Sequence, residues 1–302
     1  MKEKMQYDVI IVGGSFAGLA AAMALGRALR KVLVIDSGLP CNRQTPQSHN
    51  FLTNDGMAPS DISSRARKEV EKYPGVQFLH GQATQAHPNS QGFEIGTHTG
   101  AVYHAKKVLF ATGIRDLMPD MDGFAECWGK SVLHCPYCHG YEVRNEKTGV
   151  LINSVQELEF VKLLTNWTTD LRLFTHAAFT LSDEQMAILK QRKVEVVQEE
   201  MEKLLHTHGQ LEEVLMKDQR RYPLRVLYAP RPFEQHCDLP RLLGCEFTDE
   251  GYLKTDALQR SSVKGIYACG DNSSRMRTVA NAVATGTTAG MMLNKELVLE
   301  EF

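Results

Sequence analysis

The sequence predicts an α/β protein of two domains, each a parallel sheet between layers of helices, with the second domain inserted into the first. Three observations predict it. A strand, a glycine turn, a helix, a strand and a terminal acid follow one another across residues 7–36. A second strand–helix alternation runs across 149–197. A last strand and a long helix, 265–297, are too short to stand alone and are expected to return to the first domain. The expected boundaries are 1–115 with 240–302 for the first domain and 116–239 for the inserted one.

The elements follow in order. Tyr7–Val12 is an apolar run that ends in Gly13-Gly14, and Ala17–Leu29 carries Leu19, Ala22, Met23 and Leu29 at helical spacing. Lys31–Asp36 is a second buried strand closed by a carboxylate. Residues 37–60 read as loop, with Pro40, Pro46 and Pro59. Ile62–Lys72 reads as a helix, Val76–Leu79 as a strand, and Phe93–Ile95 with Ala101–Tyr103 as a hairpin; Lys107–Ala111 is a further strand stopped by Thr112-Gly113. In the second half Gly149–Ile152, Leu171–Phe174, Val194–Val197 and Leu224–Tyr228 read as strands, with helices over Val155–Leu164 and Asp183–Gln191. Gly265–Ala268 is a last strand, and a helix is expected over 278–297.

A chain of 302 residues, 43% hydrophobic and 23% charged, has the balance of a folded soluble protein of two domains. The net charge of -2 carries no basic stripe, so a nucleic-acid partner is not expected. The first apolar run is too short for a secretory leader, and no stretch reaches the roughly 18 apolar residues of a membrane span. The expected location is cytoplasmic, with no membrane partner.

The first turn reads Gly13-Gly14-Ser15-Phe16-Ala17-Gly18. A dinucleotide turn needs glycine for the bend, a small residue where backbone meets pyrophosphate, and glycine where helix packs on strand. Gly13 and Gly18 fill the outer places and Ser15 the middle one. The helix N-terminus offers N–H groups and a positive dipole end to phosphate. Asp36, 18 residues after Gly18, stands where a carboxylate accepts from ribose hydroxyls. The two domains are therefore expected to be Rossmann-like (three-layer).

Seven cysteines, 41, 127, 135, 138, 237, 245 and 269, make no disulfide framework for a chain of this kind, and five of them read as small buried hydrophobes or inert thiols. Cys135 and Cys138 stand three apart in His134-Cys135-Pro136-Tyr137-Cys138-His139. Two thiols so spaced at a helix N-terminus can close a small disulfide ring, and the dipole lowers the pKa of one thiol. The same residues permit a c-type haem signature, which requires export, or a zinc site, for which four ligands within six residues are badly placed. No metal ligand set is expected. His134 reads as a packed or hydrogen-bonded residue, and Trp128 and Trp167 as core or hinge packing.

Gly13–Gly18, Ala111-Thr112-Gly113 and Gly265-Ile266-Tyr267-Ala268-Cys269-Gly270-Asp271, in this order and spacing, resemble the flavoprotein disulfide reductases. The Cys pair between the two α/β halves is similar to the low-molecular-weight thioredoxin reductases. The glutathione-reductase type carries its pair in the first flavin segment instead. The resemblance implies FAD in the larger, discontinuous domain and a smaller inserted domain like an NADPH domain. It implies that Asp271 faces the phosphate and ribityl part of FAD, with Ala83 also among the cofactor contacts. Asn50 would lie close to the isoalloxazine, and Arg43 would reach the FAD phosphates. Arg277-Thr278-Val279 would bring backbone N–H groups to a flavin carbonyl, with Thr278 in place of the family's Gln. Cys138 would face the flavin in a charge-transfer contact and Cys135 would attack the substrate. His139 stands where thioredoxin reductases carry an acid/base Asp, and histidine can serve that role. His49 is a second candidate acid/base. The CxxCH order resembles a branch that includes FAD-dependent dithiol oxidases acting on small molecules. A homodimer is implied by resemblance alone.

An NADPH site calls for a second glycine turn after Gly149–Ile152. The residues there are Asn153-Ser154-Val155-Gln156-Glu157, with no glycine, a β-branched Val155 and an acidic Glu157. After the next strand stands Thr175-His176-Ala177-Ala178, with no arginine for a 2′-phosphate. A standard NADPH site is therefore not expected. Weak NADPH binding, a ferredoxin- or flavodoxin-type donor, and a reverse cycle in which a dithiol reduces the pair and oxygen takes the electrons all stay open. So does a flavin-binding redox sensor without turnover. The expected substrate is a thioredoxin-like protein or a small-molecule disulfide or dithiol.

Overall fold

The structure is a computed structural model that describes residues 6–302. The leader expectation, which rests partly on residues 1–5, lies outside them. The described chain divides into two compact units. The first runs to Arg43 and takes in Phe51–Arg115 and Phe233–Phe302; the second comprises Gln44–Asn50 and Asp116–Pro232. Two stretches depart from the expected boundaries. Residues 44–50 join the second unit, where Thr45 lies against Gly129 and His49 faces Glu142. Residues 233–239 join the first, because Phe233–Gln235 pairs with Ile114–Asp116 as a two-stranded ribbon.

The first unit is built on a seven-stranded sheet. Its parallel strands are Gln6–Val12, Val32–Asp36, Val76–His80, Val102–Phe110 and Ile266–Ala268. Ala83–Asn89 and Gly92–Thr97 add an antiparallel hairpin. Val102–Phe110 is one nine-residue strand rather than the two short ones expected. Its first half pairs with 93–96 and its last three residues with 266–268. The intervening Lys106-Lys107 concealed that continuity. Lys107 is nevertheless buried, its Nζ 2.7 Å from both Glu296 and Glu300.

Side chains alternate across the sheet as the pleat requires. Val9, Ile11, Val32 and Val34 pack under the helices Phe16–Arg27 and Val279–Glu301, while Ile10, Val12, Leu33 and Ile35 face Phe93, Ile95 and Phe110. Each fully buried aliphatic side chain of this kind contributes about 1.5–3 kcal/mol. The two helices touch backbone to backbone. A Cβ on Gly286 would lie 2.1 Å from the Ala17 carbonyl oxygen, and one on Gly290 would lie 2.7 Å from that of Ala21. The pairs 286/17 and 290/21 ascend together, so the helices run the same way. Both N-termini therefore open at the carboxyl edge of the sheet.

The second unit holds a five-stranded parallel sheet in the order Glu195–Val197, Leu171–Phe174, Thr148–Leu151, Val226–Tyr228, Val132–Leu133. Strand order reverses beside Thr148–Leu151, the place where open α/β sheets form their crevice. The helix expected over 155–164 begins as a 3-10 turn, Val155–Glu157, and continues as an α-helix, Leu158–Leu164. Asp183–Gln191 is helical as expected, started by a reciprocal Ser182–Gln185 capping box. Met201–Thr207, Gln210–Met216 and Arg221–Pro223 form an antiparallel meander that the sequence pattern did not reveal. No helix of the described residues is long and apolar enough to cross a membrane.

Candidate active site: a dinucleotide turn and a redox disulfide

In the first unit the predicted dinucleotide turn is a strand–turn–helix junction. Gly13 has φ +105°, and a Cβ there would sit 2.2 Å from the Ala111 carbonyl oxygen. A Cβ on Gly18 would sit 1.9 Å from the Gly13 carbonyl oxygen. Only glycine fits either place. Ser15 is the N-cap of the helix that starts at Phe16, yet its side chain makes no capping hydrogen bond, and the first turn holds no acid. The leading N–H groups of Phe16, Ala17 and Gly18 thus remain suited to an outside acceptor. Asp36 Oδ1 accepts from the Gly14 N–H at 3.0 Å, which binds the turn to the end of the next strand.

The other expected cofactor residues gather at the same carboxyl edge. The Ala111 N–H donates to Val12 O at 2.8 Å, and Gly113 takes φ +64°. The Gly270 N–H donates to Thr285 Oγ1 at 3.1 Å, which ties the last strand to the last helix. Asp271 Oδ2 stands 3.9 Å from Arg277 Nε and 3.8 Å from Cys41 Sγ. Thr278 is the N-cap of the last helix, its hydroxyl accepting from the Asn281 N–H at 3.1 Å, and Val279 is the first helical residue. The Thr278 side chain is therefore committed to its own helix. Asn272 was not anticipated. It is fully buried, and its Nδ2 donates to Phe110 O at 2.8 Å and Thr112 Oγ1 at 3.3 Å, joining the last strand to the Ala111–Gly113 turn. Its place directly after Gly270-Asp271 is the only signal the sequence holds for it.

Three further residues were expected to touch the cofactor. Ala83 is buried where the hairpin strand begins, opposite Thr97. Arg43 is exposed, and its guanidinium donates to Pro40 O at 3.1 Å within its own loop. Asn50 is exposed with φ +59° and groups with the second unit. The glycine cradle, the uncapped helix N-terminus and the carboxylate at the strand end fit the diphosphate and ribose of FAD.

In the second unit Cys135 and Cys138 form a disulfide. Cys135 is the N-cap of the short helix Pro136–His139, with proline at the first position. The Cys138 N–H points at Cys135 Sγ, 3.1 Å away. That donor favours a thiolate on Cys135 once the bond is reduced. The helix rests on Trp167: a Cβ on Gly140 would lie 2.8 Å from the indole, and the Tyr137 ring meets it edge-on at 5.4 Å. Trp128 stacks on His134 at 5.7 Å and on Phe124 at 6.0 Å, which accounts for both residues as packing.

His139 directly follows Cys138. Burial, with a smaller contribution from the charge of His49, lowers its pKa to about 4. It is therefore a neutral imidazole near pH 7, able to accept a proton from a neighbouring thiol. His49 stands edge-on to it at 6.4 Å between ring centroids, and His49 Nδ1 is 3.5 Å from Glu142 Oε1. Nothing in the sequence pairs His49 with His139; the fold brings them together.

Four of the remaining cysteines are poor nucleophiles. Burial raises the pKa of Cys127, Cys245 and Cys269, and lifts that of Cys237 to about 11. Cys41 is exposed. Among the described residues no group of three His, Cys, Asp or Glu is placed to hold a metal ion.

Comparison with known proteins identifies the lineage. The model of the pyridine nucleotide-disulphide oxidoreductases matches residues 7–286. This chain belongs to that family. It is 30% identical to the thioredoxin reductase tcpT of Claviceps purpurea over 97% of this chain and 95% of the relative. It is 25% identical to a thioredoxin reductase of Listeria monocytogenes over 97% and 94% of the two chains. An oxidoreductase structure from Agrobacterium tumefaciens superposes with a TM-score of 0.91 at 34% identity, covering 98% of this chain and 99% of that one. The family members establish a thioredoxin reductase-like, FAD-dependent disulfide oxidoreductase with a Rossmann-like flavoprotein fold.

Proposed function

We propose that this enzyme moves electron pairs between FAD and an external disulfide or dithiol through Cys135 and Cys138, without a standard NADPH site. FAD, when bound at the first turn, supplies the two-electron couple. Gly13, Gly14, Ser15, Phe16, Ala17 and Gly18 would hold its diphosphate and Asp36 its ribose. Ala83, Ala111, Thr112, Gly113, Asn50, Arg43, Gly270, Asp271, Arg277, Thr278 and Val279 complete the proposed contacts, Thr278 through its backbone.

The single observation that carries the proposal is the second turn. The Glu157 carboxylate accepts from the Asn153 N–H at 3.0 Å. An internal carboxylate thus uses a backbone donor of the turn where a nucleotide phosphate would be cradled, and Val155 adds bulk beside it. In the next loop His176 Nδ1 accepts from the Met201 N–H at 2.9 Å, in a stretch without arginine.

In the oxidising direction, a substrate thiolate attacks one sulfur of the Cys135–Cys138 bond. The mixed disulfide is resolved by the second substrate thiol, which leaves substrate disulfide and two enzyme thiols. His139 accepts a proton from this dithiol, whose electron pair FAD, when bound, would be there to take up. Oxygen is the terminal acceptor in this direction, as in a small-molecule dithiol oxidase. In the reducing direction a ferredoxin-type protein would supply the electrons, and a thioredoxin-like protein or a small disulfide would take them. The neutral His139 serves both. A sensor without turnover is disfavoured by the Cys138 N–H aimed at Cys135 Sγ, an arrangement suited to a nucleophile.

The test is flavin absorbance during anaerobic titration. Dithiothreitol should bleach the FAD band and stoichiometric NADPH should not. Rapid bleaching by NADPH would overturn the proposal and restore a conventional NADPH-dependent reductase.

A further inference from the structure

The chain has nine tyrosines, and among the described residues only Tyr137 and Tyr141 are exposed. Both belong to the redox segment. Tyr137 stands between the two cysteines in the helix Pro136–His139 and is 62% exposed. Tyr141 lies in the turn that follows and is 68% exposed. Scattered exposed apolar groups need no explanation, but here both exposed tyrosine rings fall within three residues of a reacting cysteine.

Each ring is held on one side. Tyr137 meets Trp167 edge-on, with 5.4 Å between ring centroids. Trp167 is itself wedged against Gly140, where a Cβ would lie 2.8 Å from the indole, and its carbonyl oxygen accepts from the Asn145 N–H at 2.9 Å. The Arg144 guanidinium lies 4.0 Å over the Tyr141 ring, and its Nη1 donates to the Tyr141 carbonyl oxygen. A cation over the ring face stabilises that stack. Both rings are therefore backed by the protein while much of their surface meets solvent. A tyrosine so held has only two side-chain torsions to lose on binding and offers a large apolar face.

We propose that Tyr137 and Tyr141 determine substrate specificity by seating a small dithiol or disulfide whose sulfurs are carried on an apolar ring. The proposal rests on Cys135 and Cys138 exchanging with an external thiol pair, as set out above. The exchange itself is unaltered: the enzyme S–S bond breaks, the substrate S–S bond forms, and two thiol hydrogens with the electron pair pass to Cys135 and Cys138. The tyrosines act by holding the substrate body so that its sulfurs lie at the enzyme disulfide. Two tyrosines bury at most about 300–500 Å², against the roughly 800 Å² per partner of a stable protein interface. Such a face matches a small ring rather than a folded protein. Arg144 is stacked on Tyr141 rather than held out towards a substrate anion, which favours an apolar body over a charged one.

The experiment compares two dithiols that each close a six-membered cyclic disulfide, dithiothreitol and 1,2-bis(mercaptomethyl)benzene. Only the second carries an apolar ring. The second-order rate constant of anaerobic flavin bleaching is measured with each in the holoenzyme. The ratio of the two, benzene dithiol over dithiothreitol, should fall about tenfold in Tyr137→Ser and in Tyr141→Ser. Tyr137→Phe and Tyr141→Phe keep the rings and should keep the ratio. Comparing ratios removes the intrinsic reactivity of each dithiol. It also removes any change in the enzyme disulfide, since both probes attack the same bond. A ratio unchanged in either serine variant, or lowered as far by phenylalanine as by serine, overturns the proposal. So does a reduced thioredoxin that outruns the benzene dithiol at equal concentration and loses its lead in the serine variants, which would assign the rings to a protein partner. If neither dithiol bleaches the flavin of the wild type, the proposed electron path fails instead. The same ratio is then read from the alkylation of freed Cys135 and Cys138 by iodoacetamide.

Discussion

The two units carry the same local device in different states. Each places a turn after a parallel strand and before a helix, and in each a carboxylate accepts from a backbone N–H of the turn at 3.0 Å. In the first unit the acceptor is Asp36, which comes from the end of the next strand and leaves the helix N-terminus open. In the second it is Glu157, which comes from the turn itself. The first turn packs glycine against backbone, and the second has none. A strand–turn–helix junction of this kind holds together without glycine, because an internal carboxylate satisfies a backbone donor of the turn.

The comparison breaks most severely at Gly18. A Cβ there would lie 1.9 Å from the Gly13 carbonyl oxygen, so Gly18→Val should cost about 3 kcal/mol or more and strip the flavin. The ratio of flavin to protein absorbance after purification, with a thermal melt, checks both. Full flavin content in this variant would mean that the first turn is not the FAD cradle.

His139 gives a smaller effect that depends on pH. Its folded-state pKa is lowered from 6.5 to about 4, so the unfolded chain binds a proton more readily in that window. Stability is therefore complete above about 6.5 and declines as pH falls towards about 4. The decline attributable to this group is on the order of 3 kcal/mol. His139→Gln should lose that part of the pH dependence in denaturant midpoints, and should slow dithiol-driven flavin bleaching about a hundredfold near neutral pH. An unchanged slope of stability against pH would contradict the burial argument.

The smallest effect belongs to the second turn. Glu157→Gln exchanges a charged acceptor for a neutral one in a partly exposed hydrogen bond, and should cost about 1 kcal/mol or less. Flavin content should be unchanged, as read from the same spectra and melts. A loss as large as that of Gly18→Val would show that the second turn bears far more of the fold than its contacts indicate.

Legibility followed distance along the chain. The first turn could be read because strand, glycines, helix and acid lie within residues 6–36, where each needs its neighbours only. The Cys pair could be read for the same reason. The strand Ala83–Asn89 could not: it is polar and mostly exposed, contains Pro88, and pairs only along one side, with Gly92–Thr97. The meander from Met201 to Pro223 is rich in Glu, Lys and Arg, and its alternation is blurred by two register shifts. Thr278 was expected to contribute backbone, and which partner its hydroxyl takes, the Asn281 N–H of its own helix, was not legible.

By itself the sequence determined the α/β class, the first glycine turn with Asp36, the Cys135–Cys138 pair and the absence of glycine from the second turn. Each is a short pattern whose physics is complete within a few neighbouring residues. Only the tertiary structure decided that residues 44–50 join the second unit, that Asn272 links a late strand to an early turn, and that His49 approaches both His139 and Glu142. These partners are separated by about ninety residues or more in sequence, or sit on a segment whose company is set by packing. No local periodicity records which loop a histidine will face, because that is fixed by the burial of the sheets and helices that carry it.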